Sequence, residues 1–118
     1  MDKEKIEKIL IKYKLTNLEK EPFIKKLILQ LSNHDRNEYI YPSEDMYWLY
    51  KEDKDFIYAL LDAMVKEKIL KRYIIFRCCR CGKEKIIDRY LLNGEEIICE
   101  ECGADNDDTD CMSVYQIL

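Results

Sequence analysis

The chain has 118 residues, of which 47% are hydrophobic and 37% charged, and its formal net charge is −4 at a sequence pI of about 5.1. This length fits one small domain or two compact ones, and the acidic balance argues against a nucleic-acid-binding module, which is usually basic. The charged segment 1–8 leads into no apolar signal sequence, and no run of residues is long enough to span a bilayer. We therefore expect a cytoplasmic protein without a membrane partner.

The sequence predicts four helices, at residues 2–13, 22–33, 43–51 and 54–67. The first, second and fourth have the apolar spacing of amphipathic helices. Pro22 lies in the first turn of the second helix, where proline is favoured, and Ser43 is in position to be the N-cap of the third. Short runs of β-type residues predict strands at 37–41 and 69–77.

Four of the six cysteines form two C-x-x-C pairs, and each pair is followed directly by a glycine. The cysteines are Cys78, Cys81, Cys99 and Cys102, and the glycines are Gly82 and Gly103. This spacing is typical of a zinc site in which four thiolates complete a tetrahedron. Glycine fits behind each pair because such a turn tends to need a positive φ. Four sulfur ligands leave no open coordination position, so the pattern predicts one structural Zn²⁺ and no catalytic metal.

With these two C-x-x-C-G segments, here called the first and second knuckle, residues 73–118 resemble a zinc ribbon. This class is found in transcription factors, ribosomal proteins, polymerase subunits and adaptors. Asn93 and Gly94 are a strong turn signal, which predicts a hairpin between Glu84–Leu92 and Glu96–Ile98. Two cysteines lie outside the predicted zinc site. Cys79 does not have the C-x-x-C spacing to Cys81, and Cys111 is expected to pack as a small hydrophobic residue at the start of the last strand.

The order of elements before the cysteines resembles a winged helix-turn-helix, with 22–33, 43–51 and 54–67 as its three helices. The predicted fold is therefore α+β. It comprises a helical, winged-helix-like domain over residues 1–72, with an extra N-terminal helix, and a four-cysteine zinc ribbon over 73–118. We also expect the last strand, residues 112–118, to pair back with residues 73–77, so that the ribbon is inserted where the wing would be.

Nothing in the sequence indicates an enzyme, because no nucleophile beside a base, no phosphate-binding glycine loop and no small-molecule site can be identified. The clearest positive feature is a group of aromatic residues, the type that dominates protein interfaces. They are Tyr39, Tyr41, Tyr47, Trp48 and Tyr50. The predicted function is thus a zinc-binding interaction module or accessory subunit with a protein partner, unless these residues instead belong to the core.

A DNA- or RNA-binding regulator is the main alternative, because basic residues flank the first knuckle. They are Arg77, Arg80, Lys83, Lys85 and Arg89. Against it, residues 73–118 carry five basic and ten acidic side chains, and four thiolates with one Zn²⁺ lower the net charge of this segment to −7. Opposite charges facing each other across the ribbon would explain the basic residues without any function. A third interpretation is a thiol or zinc sensor, which requires a labile metal.

Overall fold

The computed structural model describes residues 1–118 as a mixed α+β fold. The helices are α1 (Lys3–Lys12), α2 (Glu21–Ser32), α3 (Pro42–Asp45) and α4 (Tyr47–Lys66). The strands are β1 (Tyr39–Ile40), β2 (Leu70–Arg77), β3 (Glu84–Ile87), β4 (Glu96–Ile98), β5 (Asp105–Asp107) and β6 (Cys111–Ile117). They form a four-stranded sheet of order β1-β6-β2-β3 and a two-stranded sheet β4-β5. No helix combines the length and apolar character needed to cross a membrane.

The chain divides into two compact units. Met1–Arg72 and Tyr115–Leu118 make up the first, here called the helical unit, and Tyr73–Val114 make up the second, here called the cysteine unit. Each unit has its own cluster of buried apolar residues.

The helical unit is built around the apolar stripes that the sequence predicts. Asp2 caps α1 by accepting a hydrogen bond from the Glu4 backbone N–H at 2.9 Å, which satisfies one of the free donors at a helix start. The fully buried side chains come from three helices and include Ile6, Leu10, Leu27, Leu31, Ile57, Leu60, Leu61 and Met64. Each such side chain contributes about 1.5–3 kcal/mol by leaving water, so this core holds the helices together.

The predicted N-cap of the third helix is wrong. Pro42 is the first residue of α3, and Tyr41, not Ser43, is the N-cap. Proline's fixed φ suits the first helical position, and the Asp45 carboxylate accepts a hydrogen bond from the Tyr41 N–H at 2.8 Å, which leaves Ser43 no capping role. This helix ends after one turn, and α4 then begins at Tyr47.

The predicted division between the last two helices is found at Asp53. This residue has non-helical backbone angles inside α4 (φ −156°, ψ 80°). Its carboxylate accepts a hydrogen bond from the Phe56 N–H at 3.1 Å and pairs with Lys20. Asp53 therefore acts as an internal cap for the second part of α4.

Within the helical unit, β1 pairs antiparallel with the end of the chain. Ile40 lies opposite Tyr115, and both residues are buried in the core. The backbone N–H of Leu118 donates to the Ile69 carbonyl at 3.0 Å. The Tyr115 hydroxyl donates to the Asp62 carboxylate at 3.0 Å, so the last four residues are anchored to both a helix and a strand.

Strand pairing in the cysteine unit differs from the predicted hairpin. β3 pairs with β2, with Phe76 opposite Lys85, and β4 pairs with β5, with Ile97 opposite Asn106. The predicted pairing of Glu84–Leu92 with Glu96–Ile98 is wrong, because each C-x-x-C-G turn reverses the chain and pairs the strands on either side of it. Gly94 does form a turn with φ +84°, but this turn lies in the connection from β3 to β4, which are not paired with each other.

Candidate metal centre

Each C-x-x-C-G segment folds into the same tight turn. In the first turn, the Cys78 N–H donates to the Lys83 carbonyl at 2.9 Å and the Gly82 N–H donates to the Cys78 carbonyl at 3.0 Å. In the second turn, the Cys99 N–H donates to the Ala104 carbonyl at 3.0 Å and the Gly103 N–H donates to the Cys99 carbonyl at 2.8 Å.

The two glycines have φ values of +76° and +73°, and a Cβ built on either would meet no atom within 4 Å. Backbone conformation, rather than lack of space, therefore requires glycine at both turns.

The two turns bring four sulfur atoms together. The Sγ atoms of Cys78, Cys81, Cys99 and Cys102 all lie within 4.8 Å of one another. The Cys78–Cys102 distance is 3.5 Å and the Cys81–Cys99 distance is 3.6 Å. Sulfurs at about 2.3 Å from a tetrahedral zinc are about 3.8 Å apart, so the cluster matches the size of a zinc site. None of the cysteines forms a disulfide.

Cys78 and Cys81 have pKa values shifted in opposite directions. The pKa of Cys78 is lowered to about 6, first by the Cys81 backbone N–H and then by the Arg80 N–H and the Asn106 side chain. For Cys81, the Lys83 N–H lowers the pKa, but burial and the sulfurs of its three neighbours outweigh it and raise the pKa to about 12. Four thiolates at this distance repel one another unless a cation lies among them. The donor set therefore fits a divalent, thiophilic metal such as zinc.

Sequence reasoning missed Asn106, which lies next to this cluster. The residue is 3% exposed, and its Nδ2 donates to Cys78 Sγ at 3.6 Å and to the Ala104 carbonyl at 3.1 Å. Its Oδ1 accepts a hydrogen bond from the Cys79 N–H at 2.8 Å. One buried amide thus joins the first turn to the strand that follows the second. In the sequence, Asn106 lies between two aspartates, and this pattern predicts an exposed turn rather than a buried residue.

The two remaining cysteines are outside the sulfur cluster. The Cys79 thiol is exposed and donates a weak hydrogen bond to the Asp105 carbonyl at 3.7 Å. Cys111 is the first residue of β6 and packs, half-buried, against the small apolar cluster of the cysteine unit. That cluster has only four buried members, Phe76, Cys78, Cys99 and Ala104.

The basic residues around the first knuckle face acidic side chains. Arg77 pairs with Glu84 at 3.0 Å, Lys83 with Glu101 at 3.7 Å, Lys85 with Glu100 at 3.2 Å, and Arg89 with Glu95 at 2.8 Å. The Arg89 guanidinium donates two hydrogen bonds to the Glu95 carboxylate, and this bidentate ion pair lowers the pKa of Glu95 to about 2. Arg80 is exposed and has no acidic partner. Most of the positive charge near the first knuckle is therefore balanced inside the cysteine unit.

The five aromatic residues singled out in the sequence do not form one surface. Tyr47 and Trp48, at the start of α4, are 49% and 78% exposed, and their rings meet edge to face at 5.1 Å. Tyr39 is 39% exposed and lies on β1. Tyr41 is half-buried, and Tyr50 packs against the core with its hydroxyl 3.3 Å from that of Tyr58. Three of the five are therefore exposed, and of these Tyr47 and Trp48 form a pair with their rings in contact.

No protein-family model matches the chain, and comparison with curated proteins and with solved structures finds no match. Function is therefore inferred from the sulfur cluster and from the exposed pair of Tyr47 and Trp48.

Proposed function

We propose that this protein is a non-enzymatic, zinc-binding interaction module or accessory subunit that acts through protein–protein contacts. In this proposal, residues 1–72 are a winged-helix-like domain and residues 73–118 a zinc ribbon whose last strand pairs back with 73–77. The observation that carries the interaction role is the exposure of Trp48 beside Tyr47 at the start of α4. Tryptophan and tyrosine are the residues most often found at the energetic centre of protein interfaces.

The zinc site would be structural. Cys78, Cys81, Cys99 and Cys102 are the residues that would hold the ion, and zinc would supply electrostatic neutralisation and cross-linking. The need for metal follows from the small core: Phe76, Cys78, Cys99 and Ala104 form its one buried cluster, and the only other buried apolar residues are Ile75 and Val114, which is little apolar burial for a 42-residue unit. In such a domain the free energy of metal binding supplies the free energy of folding, and it is about 10–16 kcal/mol in comparable small sites.

The nucleic-acid alternative has weaker support. Four of the five basic residues near the first knuckle have acidic partners, and residues 73–118 carry twice as many acidic as basic side chains. A phosphate backbone would meet this negative field and would have to compete with the existing ion pairs. Fluorescence anisotropy with mixed-sequence DNA and RNA at low and physiological salt measures this directly. Salt-dependent binding that is tighter than about the micromolar range would favour the regulator instead.

A random peptide display library tests the interaction role. Peptides selected on the zinc-loaded chain should bind the wild type and lose binding at least about 30-fold in Tyr47→Ala/Trp48→Ala, whose far-UV circular dichroism should be unchanged. Leu18→Ala is the matched control, because Leu18 is 89% exposed and lies in the 3₁₀ turn before α2. If the selected peptides bind the double variant as well as the wild type, the aromatic pair is not the interaction surface.

A further inference from the structure

A groove runs beside the exposed aromatic pair in the helical unit. It encloses about 530 Å³, which is within the range of ligand-binding pockets. α2 contributes Leu29, which is 53% exposed, and α4 contributes Tyr47, Trp48 and Leu49. The buried Met46 lies between α3 and α4 and also lines the groove. An exposed cleft with this apolar and aromatic lining suits an apolar side chain from another molecule.

Two lysines place positive charge at this groove. Lys26 lines it from α2, and the Lys51 ammonium lies 5.2 Å from the centre of the Tyr47 ring and 6.0 Å from that of the Trp48 ring. Neither lysine has an acidic partner, whereas Lys12, Lys20 and Lys25 in the same unit are each paired.

The two acidic residues of the groove differ in their availability. The Asp45 carboxylate accepts the Tyr41 N–H at 2.8 Å and lies 3.7 Å from His34 Nε2, so it is already engaged within the unit. Glu52 is exposed and has no basic partner. An approaching carboxylate can therefore pair with either of two unpaired lysines, whereas an approaching ammonium meets only one unpaired acid, Glu52.

Resting on the interaction function proposed above, we propose that the groove binds an acidic amphipathic peptide segment of another protein. An apolar side chain of that segment enters the groove between Leu29 and Trp48, and carboxylates on either side of it meet Lys26 and Lys51. The aromatic rings supply contact area at a small loss of conformational entropy, and the lysines select the sign of the partner's charge.

Trp48 makes the test direct, because it is the only tryptophan in the chain. Its emission in the zinc-loaded protein therefore reports on the groove. The probe is a synthetic peptide of about 15 residues with leucine or phenylalanine at every third or fourth position, aspartate and glutamate between them, and no tryptophan. We expect a saturable blue shift and enhancement of emission as Trp48 leaves water. The charge-reversed peptide, with lysine in place of every acid, should produce none over the same concentrations.

Two matched pairs of variants separate the contributions. Lys26→Glu/Lys51→Glu should weaken binding of the acidic peptide at least about tenfold, because two attractions become repulsions. Lys5→Glu/Lys8→Glu makes the same change of net charge on α1 and should alter the affinity by less than about twofold. Trp48→Ala, followed by anisotropy of a fluorescein-labelled peptide, should abolish binding, and Leu18→Ala should not.

The outcomes distinguish this inference from the function on which it rests. If the charge-reversed peptide binds as tightly as the acidic one, or if the two lysine pairs behave alike, the acidic partner is refuted. If neither peptide binds but display-selected peptides bind in a Trp48-dependent manner, the inference is overturned and the interaction function stands. Trp48-dependent dimerisation in sedimentation equilibrium would make a second copy the occupant and would also overturn it. If no library peptide depends on Trp48, the proposed function itself fails.

Discussion

Replacing Asn106 with alanine tests whether this buried amide controls the metal centre. The change removes the Nδ2 donor 3.6 Å from Cys78 Sγ, the Nδ2 bond to the Ala104 carbonyl at 3.1 Å, and the Oδ1 acceptor 2.8 Å from the Cys79 N–H. Because the residue is 3% exposed, water does not readily replace these partners.

The expected loss can be estimated bond by bond. The two neutral hydrogen bonds contribute about 0.5–1.5 kcal/mol each, and the one to a thiolate about 1.5–3 kcal/mol. In the proposed function the metal-free cysteine unit is unfolded, so all three bonds form only when zinc binds and their loss appears in the zinc affinity. The affinity should therefore fall at least about 10- to 100-fold.

Competition with a colorimetric zinc chelator measures the affinity, and the sulfur-to-metal charge-transfer band of the Co²⁺ form reports on the thiolates. Asn106→Asp keeps the acceptor for Cys79 but places a carboxylate against Cys78, so it should bind zinc more weakly than Asn106→Ala. Ser113→Ala is the control, since this buried hydroxyl pairs with Tyr90. An Asn106→Ala affinity within about twofold of wild type, or an aspartate variant that restores binding, would refute the role assigned to the amide.

Three further predictions concern zinc, a turn glycine and a buried tyrosine. Removing zinc with a strong chelator should collapse the amide resonances of residues 73–114 to random-coil positions and adding zinc should restore them, because the unit has so small a core; resonances that stay dispersed would contradict a structural metal. Gly82→Ala should destabilise the cysteine unit by about 1–2 kcal/mol, since its φ is +76°, and Gly82→Asn should lose less in the same chelator titration. The pKa of Tyr115 is raised by burial and then by the charge of Asp62, so its contribution to stability is complete below its ordinary pKa of 10.0 and lost as pH rises toward the folded value. Tyr115→Phe should accordingly unfold about 1–2 kcal/mol more easily at neutral pH and show a smaller alkaline loss of stability in urea titrations; an identical alkaline profile would count against this assignment.

Local sequence patterns determined the sulfur cluster and the helices of this protein. The spacing of Cys78, Cys81, Cys99 and Cys102 predicts the sulfur cluster, because a C-x-x-C turn depends on only a few consecutive residues and on a glycine with positive φ. The apolar stripes predict the helices for the same reason, since helical periodicity is contained in one continuous segment. Even the break at Asp53 follows from a local capping signal.

Tertiary structure decided what the local patterns left open. β2 pairs with β3 across the first knuckle turn and β4 pairs with β5 across the second, whereas the equally local turn at Gly94 suggested a different hairpin, and only the folded chain distinguishes them. Asn106 contacts Cys78 and Cys79 only because folding brings β5 against the first turn. The aromatic residues from Tyr39 to Tyr50 are chemically alike in sequence, and packing alone left Trp48 in water and placed Tyr50 against the core. A side chain's burial depends on which elements cover it, and that information is spread over the whole chain.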